Sequence, residues 1–165
     1  MRGPGRLILA AAAFLSTLVL LADFLPALLP GSALGATTQA VLGRSCHQRS
    51  ARSFHVDGRP LAACARCCGL HASGLLAAAL VFGFPRAMRR LTPLPLLASA
   101  SVAVVVDAGV GIAFPAWDHP WVRCFTGLAF GAAALMSAWR LAERHGPSTR
   151  VGEREADASA RWMPA

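Results

Sequence analysis

The chain has 165 residues, of which 55% are hydrophobic and only 15% are charged. Ordinary soluble domains carry about 25% charged residues, so the composition excludes a typical soluble protein and indicates an integral membrane protein. The net charge of +8 does not indicate nucleic-acid binding, because the arginines lie between long apolar runs and no basic stripe with stacking aromatic residues is present. We therefore expect the lipid bilayer as the surroundings of the chain and no nucleic acid as a partner.

Four apolar runs predict an all-α fold, an integral membrane four-helix bundle. The predicted helices lie within a transmembrane domain of residues 1–145 and cover about residues 7–29, 67–84, 91–114 and 124–142. A helix needs about 20 largely apolar residues to cross a bilayer, so the first and third runs suffice alone and the second and fourth include their arginine-flanked ends. Abundant alanine and glycine suit close helix packing in lipid.

The two ends of the chain give three further predictions. Residues 146–165 are too polar to form a core and are predicted to be a disordered tail. The first run is longer than the apolar core of about 7–15 residues in a cleaved signal peptide, so a retained signal anchor is favoured over cleavage at Ala33-Leu34-Gly35. Ten arginines lie on the side of the N-terminus and six on the other side, which favours a multi-pass plasma-membrane protein with both termini cytoplasmic.

The loop between the first two predicted helices, residues 44–67, is rich in cysteine, histidine and arginine. Five arginines lie in it, which fits a non-cytoplasmic loop poorly, so either the topology is inverted or these arginines have a further role. Asp57-Gly58 is a turn signal, so the loop is predicted to double back and bring Cys46 towards Cys64 and Cys67.

The first interpretation of this loop is a metal site. A Cys-x-x-Cys pair lets the thiolates of Cys64 and Cys67 reach one ion, and Cys46 with His47 supplies the other two ligands of a tetrahedral set. We therefore predict that these four residues bind a metal, with zinc as the expected ion. His71 is an alternative ligand, because it shares a helix face with Cys67 at a spacing of four residues.

The second interpretation is a membrane thiol–disulfide oxidoreductase that works through Cys64 and Cys67. A thiolate at the start of a helix is stabilised by the helix N-terminus, and Arg66 adds positive charge. Cys46 and Cys124 are further redox partners in this interpretation. The sequence contains no P-loop, dinucleotide fingerprint or zinc-protease motif that indicates another enzyme class, and whether the chain is an enzyme stays open.

The third interpretation is structural, with disulfides in the loop and the chain acting as a structural membrane subunit. Five cysteines leave at least one unpaired. Cys68 and Cys124 are interpreted as small apolar residues that face neighbouring helices.

Charged residues at one end of the apolar runs predict a polar network beneath the loop. Asp107 is expected to pair with Arg123, or with Arg49 or Arg52 of the loop, because charges inside a membrane usually pair or line a cavity. Asp23 falls towards the same end, although it also fits the point where the first helix meets the interface. An ion pair that fixes helix register and a functional cavity remain equal alternatives. The predicted network consists of Arg49, Arg52, Arg66, His71, Asp107 and Arg123.

Two further signals concern packing. Gly127-x-x-x-Gly131 in the fourth helix is a small-residue face for a neighbouring helix. Phe54, directly after the loop arginines, is expected to dock the loop on the bundle.

The cysteine-containing motifs resemble the signature of a family of small prokaryotic membrane proteins called domain of unknown function 2085. The motifs are Cys46-His47-Gln48-Arg49-x-x-Arg52-Ser53-Phe54 and Cys64-Ala65-Arg66-Cys67-x-Gly69. The resemblance covers about residues 44–131 and includes Asp107 and Arg123-x-x-Thr126-Gly127. Cys68 departs from the pattern, where a threonine is expected, and His71 and Asp118-His119 lie outside it. The family has no assigned activity, so the resemblance supports the place of the site without naming its chemistry.

Overall fold

The computed structural model describes residues 4–114 and 119–145. In this part of the chain, six α-helices, one 3-10 turn and one β-hairpin follow one another. In chain order they are α1 (Pro4–Leu28), α2 (Ala33–Leu42), the 3-10 turn Ser50–Arg52, β1 (Ser53–Val56), β2 (Arg59–Cys64), α3 (Ala65–Gly83), α4 (Pro85–Arg90), α5 (Pro93–Ala113) and α6 (Pro120–His145).

Four of these helices, α1, α3, α5 and α6, are long and apolar enough to cross a membrane. This confirms the predicted all-α membrane bundle. Helices α3 and α6 each begin before the predicted residue, at Ala65 and Pro120. Pro120 suits a helix start because its fixed φ and missing N–H cost nothing in the first turn. The predicted tail, residues 146–165, and Asp118 lie outside the described residues.

A sharp turn after α1 produces a helix that the sequence analysis does not predict. Gly31 adopts a φ of 75°, a left-handed conformation that glycine reaches without steric cost. The next residue, Ser32, caps α2, because its Oγ accepts the N–H of Gly35 at 3.0 Å. Helix α2 then packs back against α1 and β2.

Helices α3 and α6 form the centre of the bundle, with α1 packed mainly on α3 and α5 packed on α6. Small residues allow the central pair to approach closely. A Cβ on Gly69 would collide with the carbonyl oxygen of Cys124, and one on Gly127 would collide with that of Arg66. The predicted small-residue face of α6 therefore lies directly against α3.

Two buried clusters occupy opposite parts of the bundle. One is apolar and contains Leu9, Ala77, Val81, Ala132, Met136 and Trp139. The other lies under the hairpin and contains Ala27, Cys46, Leu61, Ala63, Cys64 and Cys68. Large apolar side chains such as Phe14, Leu21, Val105 and Ile112 are exposed on α1 and α5, which is the arrangement expected of a surface that faces lipid.

Candidate metal centre

The Cys/His loop folds as a β-hairpin that delivers Cys64 to the start of α3. Strands β1 and β2 pair antiparallel, with Val56 opposite Arg59 and Ser53 opposite Cys64. Asp57 and Gly58 turn the chain with φ values of 49° and 74°, and positive φ at both central positions is typical of two-residue hairpin turns. The predicted turn is therefore where the chain reverses.

This reversal brings Cys46 and His47, which follow α2, next to Cys64 at the end of β2. Their potential ligand atoms all lie within 4.8 Å of one another. Cys46 and Cys64 are buried and His47 is exposed. The Sγ of Cys46 accepts the backbone N–H of Cys64 at 3.1 Å. This contact fixes the sulfur of Cys46 beside the residue that carries the next potential sulfur ligand.

Cys67 lies beside this group in the first turn of α3. Cys67 does not belong to the group of three residues whose ligand atoms all lie within 4.8 Å of one another. Its side chain nevertheless interacts with those of Cys64 and Cys46. A hydrogen bond from the Cys67 thiol lowers the pKa of Cys64 to about 5. Burial opposes this shift, whereas hydrogen bonds from the Cys67 N–H and the Cys46 side chain add to it. We call Cys46, His47, Cys64 and Cys67 the Cys/His cluster.

The histidine of the cluster is held by a backbone hydrogen bond. The N–H of Arg49 donates to Nδ1 of His47 at 3.1 Å, so in the neutral ring the proton resides on Nε2. A metal at Nδ1 would replace this hydrogen bond. A metal at Nε2 would require the proton to move to Nδ1, which also ends it. Metal binding therefore has to release the Arg49 N–H from the ring.

Neighbouring polar contacts fix the segment that carries Cys46 and His47. Gln48 has a φ of 48°, an uncommon conformation for a residue with a side chain. Its Nε2 donates to the carbonyl oxygen of Gln39 at 2.6 Å, which ties the segment to the last turn of α2. On the other side, Ser53 Oγ donates to the Arg49 carbonyl oxygen at 3.1 Å.

The arginine between the two cysteines of the Cys-x-x-Cys pair connects the cluster to the bundle. Arg66 forms an ion pair with Asp107 on α5. The hydroxyl of Thr126 on α6 donates to the same carboxylate oxygen at 3.2 Å. Arg123, at the start of α6, is buried. Asp107 thus pairs with Arg66, a member of the predicted network that does not stand among its expected partners Arg123, Arg49 and Arg52.

Other loop side chains also reach the bundle. Arg52 donates to the carbonyl oxygen of Gly111, near the end of α5, at 3.5 Å. The rings of Phe54 and Trp121 have centroids 4.8 Å apart. Phe54 therefore docks β1 against the start of α6, while Arg49 is exposed at the edge of the hairpin.

His71, the alternative metal ligand, has a different partner. Its Nδ1 lies 3.1 Å from Oδ2 of Asp23 on α1, and Asp23 is completely buried. The predicted polar network does not include this pair. The signal was present, however, because both residues are ionisable, interrupt apolar runs and fall towards the same end of the bundle.

The family model described as a predicted membrane protein, domain of unknown function 2085, matches residues 46–137. The chain belongs to this family. The match confirms the resemblance carried by the cysteine motifs, and it begins at Cys46, the first residue of the Cys/His cluster. The family segment of this chain thus includes the hairpin, the Arg66–Asp107 pair, α3, α5 and most of α6, while Asp23 lies outside it. No curated protein and no solved structure matches the chain.

Proposed function

We propose that this chain is a metal-binding membrane protein whose Cys/His cluster holds one zinc ion. The observation that carries the proposal is the approach of the ligand atoms of Cys46, His47 and Cys64 to within 4.8 Å of one another. Cys67, beside Cys64, is the proposed fourth ligand. Three sulfurs and one imidazole nitrogen form a set typical of structural zinc sites.

The zinc ion is proposed to join parts of the chain that are distant in sequence. Cys46 and His47 follow α2, Cys64 ends β2 and Cys67 belongs to α3. A shared ion would therefore fix the hairpin over the start of α3. Because Arg66 lies between two of the ligands, the ion would also fix the partner of Asp107. We place the chain in the plasma membrane with both termini cytoplasmic, in agreement with the distribution of arginines.

Elemental analysis of the purified full chain tests the proposal. The protein is purified in detergent under reducing conditions through a tag without histidine or cysteine, and its zinc content is measured by plasma mass spectrometry. The wild type is expected to contain about one zinc ion per chain, because S₃N sites bind zinc tightly. Cys64→Ser is expected to lose it, since a hydroxyl does not replace a buried thiolate.

Cys124→Ser is the matched control for this measurement. It removes one thiol from α6, outside the group of three mutually close ligands, and is expected to keep the zinc. Stoichiometric zinc in Cys64→Ser, or a wild type that takes up no zinc when supplied with it, contradicts the proposal.

A second candidate function, thiol–disulfide exchange, is favoured by the contact between the side chains of Cys64 and Cys67 at the start of α3. In this reaction a Cys64–Cys67 disulfide accepts two electrons from a dithiol of another protein. The dithiol becomes a disulfide. Its two electrons and two protons pass to Cys64 and Cys67, which become thiols. Differential alkylation of cells tests it: a mixed population of reduced and oxidised Cys64 supports exchange, and complete reduction contradicts it.

A further inference from the structure

A cavity of about 340 Å³ lies in the seam between α1, α3 and α6. This volume is within the range of about 300–1,000 Å³ that small-molecule pockets occupy. Leu15, Val19 and Leu135 contribute to its walls, which are mostly aliphatic, and His71 stands out among its few polar side chains. All three helices that form it are membrane-spanning, so any occupant reaches it from an apolar environment.

The hydrogen bond to Asp23 determines which nitrogen of His71 is available. Oδ2 of Asp23 lies 3.1 Å from Nδ1, and a carboxylate only accepts hydrogen bonds, so Nδ1 carries the proton. In the neutral ring, Nε2 then holds a lone pair and acts as an acceptor. Asp23 is completely buried, so this hydrogen bond is shielded from solvent. Asp23 is therefore a positioning residue for His71.

Nε2 of His71 has no hydrogen-bond donor among the residues that the structure describes. His71 lines the cavity and its side chain is 21% exposed. In the described part of the chain, Asp23 is the residue that hydrogen-bonds to its ring. The hydroxyl of Ser73, also in the wall, donates its proton to the carbonyl oxygen of Leu70 at 2.6 Å, so it does not supply the missing donor. An acceptor surrounded by apolar groups is unfavourable until a donor reaches it.

We propose that this cavity binds a small apolar molecule that carries a hydroxyl group, and that the hydroxyl donates to Nε2 of His71. The aliphatic walls accommodate a ring or a hydrocarbon chain, and the Nε2 acceptor favours an occupant with a donor. A plain lipid acyl chain fits the walls and leaves Nε2 without a partner, which makes it the weaker occupant. This site is separate from the Cys/His cluster and does not depend on zinc.

The test uses two probes that differ in one group. The full chain is placed in lipid nanodiscs, and binding of 4-nonylphenol and of its methyl ether, 4-nonylanisole, is measured with empty nanodiscs as the reference. The phenol is expected to bind about tenfold more tightly, equivalent to about 1.4 kcal/mol, because only the phenol donates a hydrogen bond. Equal binding of the two probes is expected if acyl chains are the natural occupant, and that result overturns the proposal.

A variant then assigns the preference to His71. His71→Phe keeps an aromatic ring of similar size and removes the acceptor, so the phenol and the ether are expected to bind equally while the zinc content stays unchanged. A preserved tenfold preference in this variant overturns the assignment. Unchanged zinc also separates failure of this proposal from failure of the metal proposal.

A spectroscopic readout on the wild type avoids dependence on a variant that folds poorly. Nitrogen-15 NMR of His71 is expected to show the proton on Nδ1 and a shift of the Nε2 resonance when 4-nonylphenol is added, but not when 4-nonylanisole is added. Asp23→Asn is expected to weaken the preference for the Nδ1 proton, because the amide lacks the charge of the carboxylate. A wild-type ring with its proton on Nε2 overturns the proposal.

Discussion

The Sγ of Cys46 accepts the backbone N–H of Cys64 at 3.1 Å, although 17 residues separate the two cysteines in the chain. The hairpin turn at Asp57-Gly58 makes this contact possible. Cys64, the second cysteine, ends β2 and directly precedes the first residue of α3. The contact brings the Cys46 sulfur beside the residue that carries the second thiol, and both belong to the group that could hold a metal ion.

The hairpin turn is expected to control zinc affinity. Gly58 has a φ of 74°, and a residue with a side chain costs about 1–2 kcal/mol in this conformation. Gly58→Ala should therefore weaken zinc binding by about five- to thirtyfold, as measured by competition with a chromophoric chelator. Gly109→Ala is the control, because Gly109 has open space around its Cβ position, and it should bind zinc like the wild type. Equal affinity in both variants would show that the turn does not position the ligands.

The ion pair of Asp107 with Arg66 is expected to stabilise the bundle. Both side chains are largely buried, with exposures of 10% and 26%, so Asp107→Asn leaves a positive charge without its partner in an apolar setting. The free energy of unfolding should fall by about 2 kcal/mol or more, as followed by circular dichroism in mixed detergent micelles. Arg89→Gln removes one partner of the exposed Arg89–Glu143 pair and should change it by less than about 0.5 kcal/mol. A comparable loss in both variants contradicts the account.

Close contact between α3 and α6 is expected to depend on Gly127. A Cβ at this position would collide with the carbonyl oxygen of Arg66, and backbone in a packed helix cannot move away cheaply. Gly127→Val should lower the free energy of unfolding by at least about 2 kcal/mol. Gly109→Val, also in a membrane-spanning helix, controls for helix propensity and should change it much less. Similar values for the two variants would rule out the packing explanation.

The thiolate of Cys64 predicts a pH dependence of the metal-free protein. Its pKa of about 5 lies below that of an ordinary thiol, which is about 8.5, so the folded state binds fewer protons than the unfolded state between these values. The stabilisation of the folded state by this thiolate is complete above about pH 8.5 and is lost as the pH falls through about 5. Thiolate absorbance at 240 nm should show a component with a midpoint near 5, which Cys64→Ser lacks. A component that titrates only near 8.5 contradicts this.

The sequence predicts elements whose signals are local. Apolar runs of sufficient length indicate the membrane-spanning helices, and Asp57-Gly58 marks the reversal of the chain. Helix α2 escapes prediction because its residues combine moderate apolarity with a length too short to cross a membrane. Its start depends on the left-handed Gly31 and the Ser32 cap, which are evident only once the chain direction is known.

Partners between helices are harder to predict. Arg66–Asp107 and Asp23–His71 both join helices, and each depends on the rotation and depth of two helices relative to each other. Hydropathy fixes neither quantity, because lipid-facing and buried apolar residues have the same composition. The sequence therefore indicates which residues are ionisable inside the membrane, and the structure is needed to show which of them meet.

X-ray absorption at the zinc edge of the zinc-loaded full chain tests the central claim most directly. The account predicts three sulfur neighbours at about 2.3 Å and one nitrogen neighbour at about 2.0–2.1 Å. His47→Ala should lose the imidazole signal and keep the sulfur shell, since the thiols remain. A zinc environment made only of nitrogen and oxygen neighbours would show that the Cys/His cluster does not hold the ion.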